Sequence, residues 1–179
     1  MEFLELVGSR QSDRKFDHNR PVEAEKLNYI LNAARLAPSA CNAQPWHIVV
    51  VNEPELALKM GEAAASLGMN KFAKDAPIHL LVIEESANIT SMLGTKIKGK
   101  YFPLMDIGIL ASHIALAAES LGLGSCILGW FDETKIKSLL AIPKKKRVLL
   151  DIVIGYSMSS KREKKRKSVD KMVSYNRYK

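Results

Sequence analysis

The chain has 179 residues, 47% of them apolar, a formal charge of +8 and two cysteines. That length supports one domain with its own core, and two cysteines exclude a disulfide framework, so Cys41 and Cys126 are read as reduced thiols. The charge is local: nine Lys/Arg against Glu163 and Asp170 between Lys161 and Lys179 give +7, Lys144–Arg147 adds +4, and the rest carries about −3, which argues against a uniformly basic nucleic-acid-binding body.

The acidic start, Met1–Glu5, leads into no signal-type apolar run, so a cytoplasmic location is expected. Next comes Arg10-Gln11-Ser12-Asp13-Arg14, with two arginines four apart, on one face if the segment is helical. Two guanidinium forks and the Ser12 hydroxyl suit an anion; the plainer alternative is a solvated helix edge pairing with Glu5 and Asp13. Pro21 at a first helical position precedes Leu27, Ile30, Leu31 and Ala34, the spacing of one apolar helix face ending near Leu36. Ala37–Trp46 then sets Ser39, Asn42 and Gln44 between Pro38 and Pro45, a polar loop of limited backbone freedom. His47–Val51 reads as a buried strand, Glu55–Leu67 as a helix stopped by Gly68, and Ile78–Ile83 as a second strand. Ser86–Tyr101 has no clear period and is read as a mobile loop over a site.

From Asp106, a candidate N-cap, to Leu121 the pattern is a helix apolar on nearly every face, which needs protein around it and points to a partner subunit. Its longest apolar stretch, Ile107–Ala118, falls short of the roughly 20 residues of a membrane span. Ser125–Leu128 reads as a short strand, Asp132 as the cap of a helix through Leu140, and Val148–Ile154 as a strand ending at Gly155. The expected fold class is α+β, three layers with helices around one mixed sheet. His18, His47, His79 and His113 lack metal-ligand spacing, His113 is read as a core residue, Cys41 as a small buried side chain, and Trp46 as core. Gly122-Leu123-Gly124 opens like a dinucleotide fingerprint, but Ile127 occupies the third glycine position and the segment follows a helix.

Three motifs in series, Arg10–Arg14, Ala37–Trp46 and Leu121–Phe131, make the chain resemble the FMN-dependent nitroreductase family over nearly its whole length. The resemblance implies an intertwined homodimer with FMN in clefts built by both chains. In each cleft Arg10, Ser12 and Arg14, with Gln11 in the same cofactor-binding segment, meet the flavin phosphate and pyrimidine edge. Pro38, Ser39, Ala40, Asn42 and Gln44 come from the other subunit. Where the family often has a second serine stands Ala40, whose backbone N–H is left for the ligand. Leu128, Gly129 and Trp130 match the segment over the flavin ring, and Arg166, or Lys164 just before it, matches the last phosphate contact. Asn70 and Lys71 fall near the place of further ring contacts, although their spacing to the next strand is not a clean match. Residues 1–156 then form the FMN-binding domain, and 157–179 a basic extension packing on it or on the partner.

The activity so implied is NAD(P)H:acceptor oxidoreduction, with hydride passing through flavin N5 to a nitroaromatic, quinone or similar electron-poor molecule. No protein group is required as a general acid, and Arg14 is the candidate to stabilise reduced flavin. Two other readings stand beside it: a flavin-binding sensor without turnover, and a nucleic-acid binder using Lys144–Arg147 and the tail.

Overall fold

The computed structural model describes residues 2–86 and 99–178. Strand β2 (Ile78–Glu84) sets the layers. Successive strand side chains leave opposite faces, so Ile78, Leu80 and Val82 enter one apolar cluster while Leu81 and Ile83 enter another. The first face is covered by α2 (Ala24–Arg35), through Leu27, Ile30 and Ala34, and by α4 (Phe102–Ser120), through Ile107, Leu110 and Ile114. On the second lie α3 (Pro54–Ala64), through Ala57, Met60 and Ala63, and α5 (Glu133–Leu139), through Ile136. The three-layer α+β reading holds.

The sheet runs β1 (Trp46–Val51), β2, β4 (Val148–Gly155), β3 (Gly124–Leu128), and every neighbouring pair is antiparallel, where a mixed sheet was expected. The reason lies in the crossover. The α4 connection does return β3 parallel to β2, but β4 is inserted between them and runs against both. Parallel pairing survives in the isolated bridge Ser12–Ser125.

Several boundaries shift. Pro21 precedes α2, which begins after Glu23. Helix α3 starts at Pro54 and gives way after Ala64 to a 3-10 turn at Ser66–Gly68. A further turn, Lys71–Asp75, lies so close over α3 that a Cβ on Gly61 would sit 2.4 Å from the Lys74 backbone. Only glycine fits there. Asp132 caps α5 as expected, its carboxylate accepting the Lys135 N–H at 2.9 Å.

Helix α4 begins at Phe102, so Asp106 is a buried residue of its second turn rather than its cap. Its 19 residues are long and apolar enough to cross a membrane, contrary to the sequence estimate, yet they pack against α2, β3 and α1 (Phe3–Ser9). Of the loop expected over a site, residues 87–98 lie outside the described residues. Among the histidines, His79 is the core residue. It pairs with Asp151 across the sheet, Nδ1 to Oδ2 at 2.9 Å, both fully buried.

Candidate functional site

Helix α1 ends at Ser9, and residues 10–16 run extended along the open edge of β3. The Asp13 N–H donates to the Ser125 carbonyl at 2.9 Å, and Phe16 bridges to Ser157. A helix was the expected reason for Arg10 and Arg14 to share a face. The extended chain achieves the same by period two: Arg10, Ser12 and Arg14 look outward while Gln11 and Asp13, 4% and 1% exposed, look inward.

That inward pair organises the site. Asp13 Oδ1 accepts from Gln11 Nε2 at 2.9 Å and from Ser157 Oγ at 2.6 Å, and a Cβ on Gly124 would press within 2.9 Å of the Asp13 carboxyl. The Gln11 amide also donates to the Ser160 carbonyl at 3.1 Å and accepts from the Arg162 N–H at 3.1 Å. Gln11, expected to contact a ligand, therefore commits its amide to protein partners and stitches the N-terminal segment to the tail. Arg162 Nη2 donates to the Ser12 carbonyl at 2.7 Å, and Lys164 Nζ to the Arg10 carbonyl.

The product is a cavity of about 580 Å³ lined by Arg10, Gln11, Ser12, Arg14, Arg162, Glu163, Lys164, Lys165 and Arg166. Six cations face one carboxylate. The alternative, in which the arginines pair with Glu5 and Asp13, is not what is found: among the described residues neither Arg10 nor Arg14 forms an ion pair. Burial, then repulsion from Arg10 and Arg166, holds the Lys164 ammonium below the ordinary lysine range. Such a cluster repels itself until an anion enters, and a phosphate dianion with several oxygens meets its forked donors best. Arg10 also borders an apolar groove of about 310 Å³ formed by Val7, Gly108, Ser112, Ala115, Leu116 and Ile127.

The segment after β3 leaves Gly129 and Trp130 exposed and Leu128 buried. Asn70, left-handed at φ 46°, donates from Nδ2 to the Trp130 carbonyl at 2.8 Å, so Asn70 holds this segment from outside. Below it, burial raises the pKa of the Cys126 thiol, against the pull of Arg14.

The loop from Pro38 to Gln44 does not line the basic cavity. Its backbone bends through a 3-10 turn at Ala40–Asn42, with Cys41, Asn42 and Gln44 all at positive φ. Ser39 Oγ accepts the Gln44 N–H at 2.9 Å, and the Gln44 amide donates to Asn42 Oδ1 at 3.1 Å. Cys41, left-handed at φ 53°, is exposed in this turn and not buried as expected. The Ala40 N–H, expected to be left for a ligand, donates to Asp106 Oδ1 at 3.1 Å.

Sequence reasoning missed Arg162, Lys165 and Glu163 in the cavity, together with the buried Asp13 and Asp106. Alternation of Asp13 with the two arginines was the available signal for a strand-like segment with one acidic residue facing inward.

Residues 7–156 match the model of the nitroreductase family. A protein of Methanothermobacter thermautotrophicus assigned as an NADH dehydrogenase/NAD(P)H nitroreductase is 35% identical over 87% of this chain and 78% of its own length. The oxygen-insensitive NADPH nitroreductase of Helicobacter pylori is 28% identical over 94% of this chain and 96% of its own. Among solved structures, an FMN-dependent nitroreductase from Clostridium difficile superposes with a TM-score of 0.79 at 29% identity, covering 98% of this chain and all of that one.

Proposed function

The chain belongs to the nitroreductase family, and from that premise we propose that it is an NAD(P)H-dependent oxidoreductase that holds FMN with its phosphate in the basic cavity. The observation that carries this reading is the meeting of Arg10, Ser12 and Arg14 with Lys164 and Arg166 around one cavity, from segments about 150 residues apart. The donor set fits the cofactor: guanidinium forks, an ammonium and a hydroxyl for a phosphate dianion, beside an apolar groove.

Bound FMN would supply two-electron chemistry at N5, accepting hydride from NAD(P)H and passing it in a ping-pong cycle to a nitroaromatic, quinone or similar acceptor. The protein's part is binding, orientation and electrostatics. Arg10, Lys164 and Arg166 fix the phosphate; Arg14 stands ready to stabilise negative charge on the reduced ring. The exposed Gly129 backbone and the Trp130 side chain, anchored through Asn70, border the ring, with Leu128 holding the segment in the core.

The second wall comes from the partner copy, which offers Pro38, Ser39, Asn42 and Gln44 across the interface. Two features support a homodimer. That loop lies apart from the basic cavity of its own chain, and Leu104, Met105 and Ile109 of α4 are exposed on the isolated chain beside Phe3 and Leu4 of α1. Residues 157–164 pack onto the domain and carry the cations into place, leaving the later tail free to reach the partner. The same reading keeps the enzyme in the cytoplasm, with one face of the membrane-length helix α4 packed on α2, β3 and α1.

The test is the visible spectrum of the purified protein before and after anaerobic NADH or NADPH. A flavin spectrum that bleaches with a nicotinamide and recovers with a nitroaromatic or quinone is expected. A colourless protein that takes up no added FMN would overturn the reading, and yellow protein that bleaches with neither donor would point to a sensor without turnover.

A further inference from the structure

Among the described residues, three buried side-chain atoms lack a hydrogen-bond partner: Asp13 Oδ2, His79 Nε2 and Asp106 Oδ2. Asp13 and His79 each have other attachments that account for them, in the Gln11–Ser157 network and the Asp151 pair. Asp106 does not. It is 4% exposed on a mostly apolar helix, and its carboxylate accepts from the Ala40 N–H. Burying a carboxylate for a single backbone hydrogen bond is a poor way to stabilise a domain, since desolvation of the charge outweighs what one donor returns.

What that hydrogen bond holds gives the position its purpose. Ala40 opens the 3-10 turn Ala40–Asn42, and Ser39, which precedes it, provides no side-chain cap because its hydroxyl is taken by the Gln44 N–H. Cys41 and Asn42 within that turn, and Gln44 after it, are left-handed, a conformation uncommon for residues other than glycine and asparagine. Within the loop, the Asn42 N–H donates to the Ser39 carbonyl, the Ala43 N–H to the Ala40 carbonyl, and the Gln44 amide to Asn42, all over short sequence separations. The Asp106 contact spans 66 residues and ties the loop to the core helix.

We infer that Asp106 is a positioning residue for the cofactor loop: its carboxylate caps the Ala40–Asn42 turn from α4 and so holds Ser39 and Asn42 in the shape they present to FMN in the partner's cleft. The inference rests on the proposed function for the identity of the ligand, but the clamp itself is a property of the flavin-free protein. Asp106 does not touch the reacting atoms, and its influence passes through Ala40.

The test uses Asp106→Ala and Asp106→Asn in the full chain, with two readouts. The first is amide hydrogen exchange in flavin-free protein. The Ala40 amide is protected in the wild type, exchanges at least about 10-fold faster in Asp106→Ala, and regains protection in Asp106→Asn, which keeps an acceptor oxygen. The second is FMN titration by fluorescence quenching, where Asp106→Ala binds roughly 10- to 100-fold more weakly and Asp106→Asn stays within about threefold of wild type. If Asp106→Ala does not fold, Asp106→Leu fills the volume with apolar atoms and carries the same expectations. An unprotected Ala40 amide in the wild type overturns the clamp without any variant. Wild type that binds FMN, together with folded Asp106→Ala or Asp106→Leu that binds it equally well, overturns the link to the cofactor. Wild type that binds no FMN overturns the proposed function instead and leaves the exchange result to decide the clamp.

Discussion

The two polar regions assigned to the cofactor are built in opposite ways. The wall formed by residues 10–14 and 160–166 is held by long-range hydrogen bonds: Gln11 alone joins Ser160 and Arg162, and the outer side of this wall gathers six cations. The wall formed by residues 38–44 carries no charge, folds on itself through left-handed residues, and is tied to α4 by the hydrogen bond from the Ala40 N–H to Asp106. On the proposed reading, one wall would recognise by charge and the other by shape. The first should therefore dominate affinity and respond to salt, while the second should govern orientation and respond to backbone changes.

The largest expected effect is on the charged wall. Arg14→Ala or Lys164→Ala should weaken FMN binding by roughly 10- to 100-fold, from loss of a charge-assisted hydrogen bond, and flatten the fall of affinity with added salt. Titrations at two ionic strengths check this, and equal slopes for variant and wild type would break the assignment of charge to this wall. Next, Asp13→Ala removes the acceptor on which Gln11 and Ser157 converge and should lower stability by about 2–3 kcal/mol, read as a drop in thermal midpoint. Loss of FMN affinity should accompany it, as the extended segment lets go of the tail.

Lys164 gives a pH signature. Its pKa is lowered by burial and by Arg10, so FMN affinity should fall on the alkaline side at a pH below that of an ordinary lysine, and Lys164→Gln should remove that limb. A control lies outside both walls. Glu133, despite burial that pushes it upward, is held down at about 2 by Lys137, Arg147 and the Val148 N–H. A depressed carboxylate stabilises the fold above its unfolded value of 4.5, and that contribution is lost as pH falls toward about 2. Glu133→Gln should thus be less stable at neutral pH and shallower in acid unfolding, with FMN affinity at pH 7 unchanged. Smallest is the effect at the tip of the uncharged wall. Cys41→Gly relieves a left-handed residue at φ 53° and should change stability by no more than about 1 kcal/mol while changing FMN affinity less than threefold.

The sequence shows the period-based elements well. The apolar run Ile78–Ile83, the β-branched run at Val148–Ile154 and the cap at Asp132 each rest on local chemistry, and each appears within a residue or two of its expected place. It does not show which strands become neighbours: insertion of β4 between β2 and β3 is a tertiary choice, made by the α4 crossover, and it turns the expected mixed sheet antiparallel. Asp106 marks a similar limit. A lone acid before an apolar run reads as a cap, and only the packing of α4 against the 38–44 loop reveals a buried acceptor. For the charged wall the motif residues were legible but their geometry was not, because four-residue spacing brings two arginines together in a helix and in a strand alike. The tail's part was half legible: nine cations in sequence cannot say which of them turn inward, and Gln11 makes that selection through Ser160 and Arg162.

The most direct test compares FMN with riboflavin by isothermal titration against flavin-free protein at low salt. The two ligands share the ring and ribityl chain and differ only in the phosphate. If the basic cavity takes the phosphate, FMN binds at least about 100-fold more tightly than riboflavin and the difference shrinks as salt is raised; equal affinities, or a difference indifferent to salt, would contradict the account.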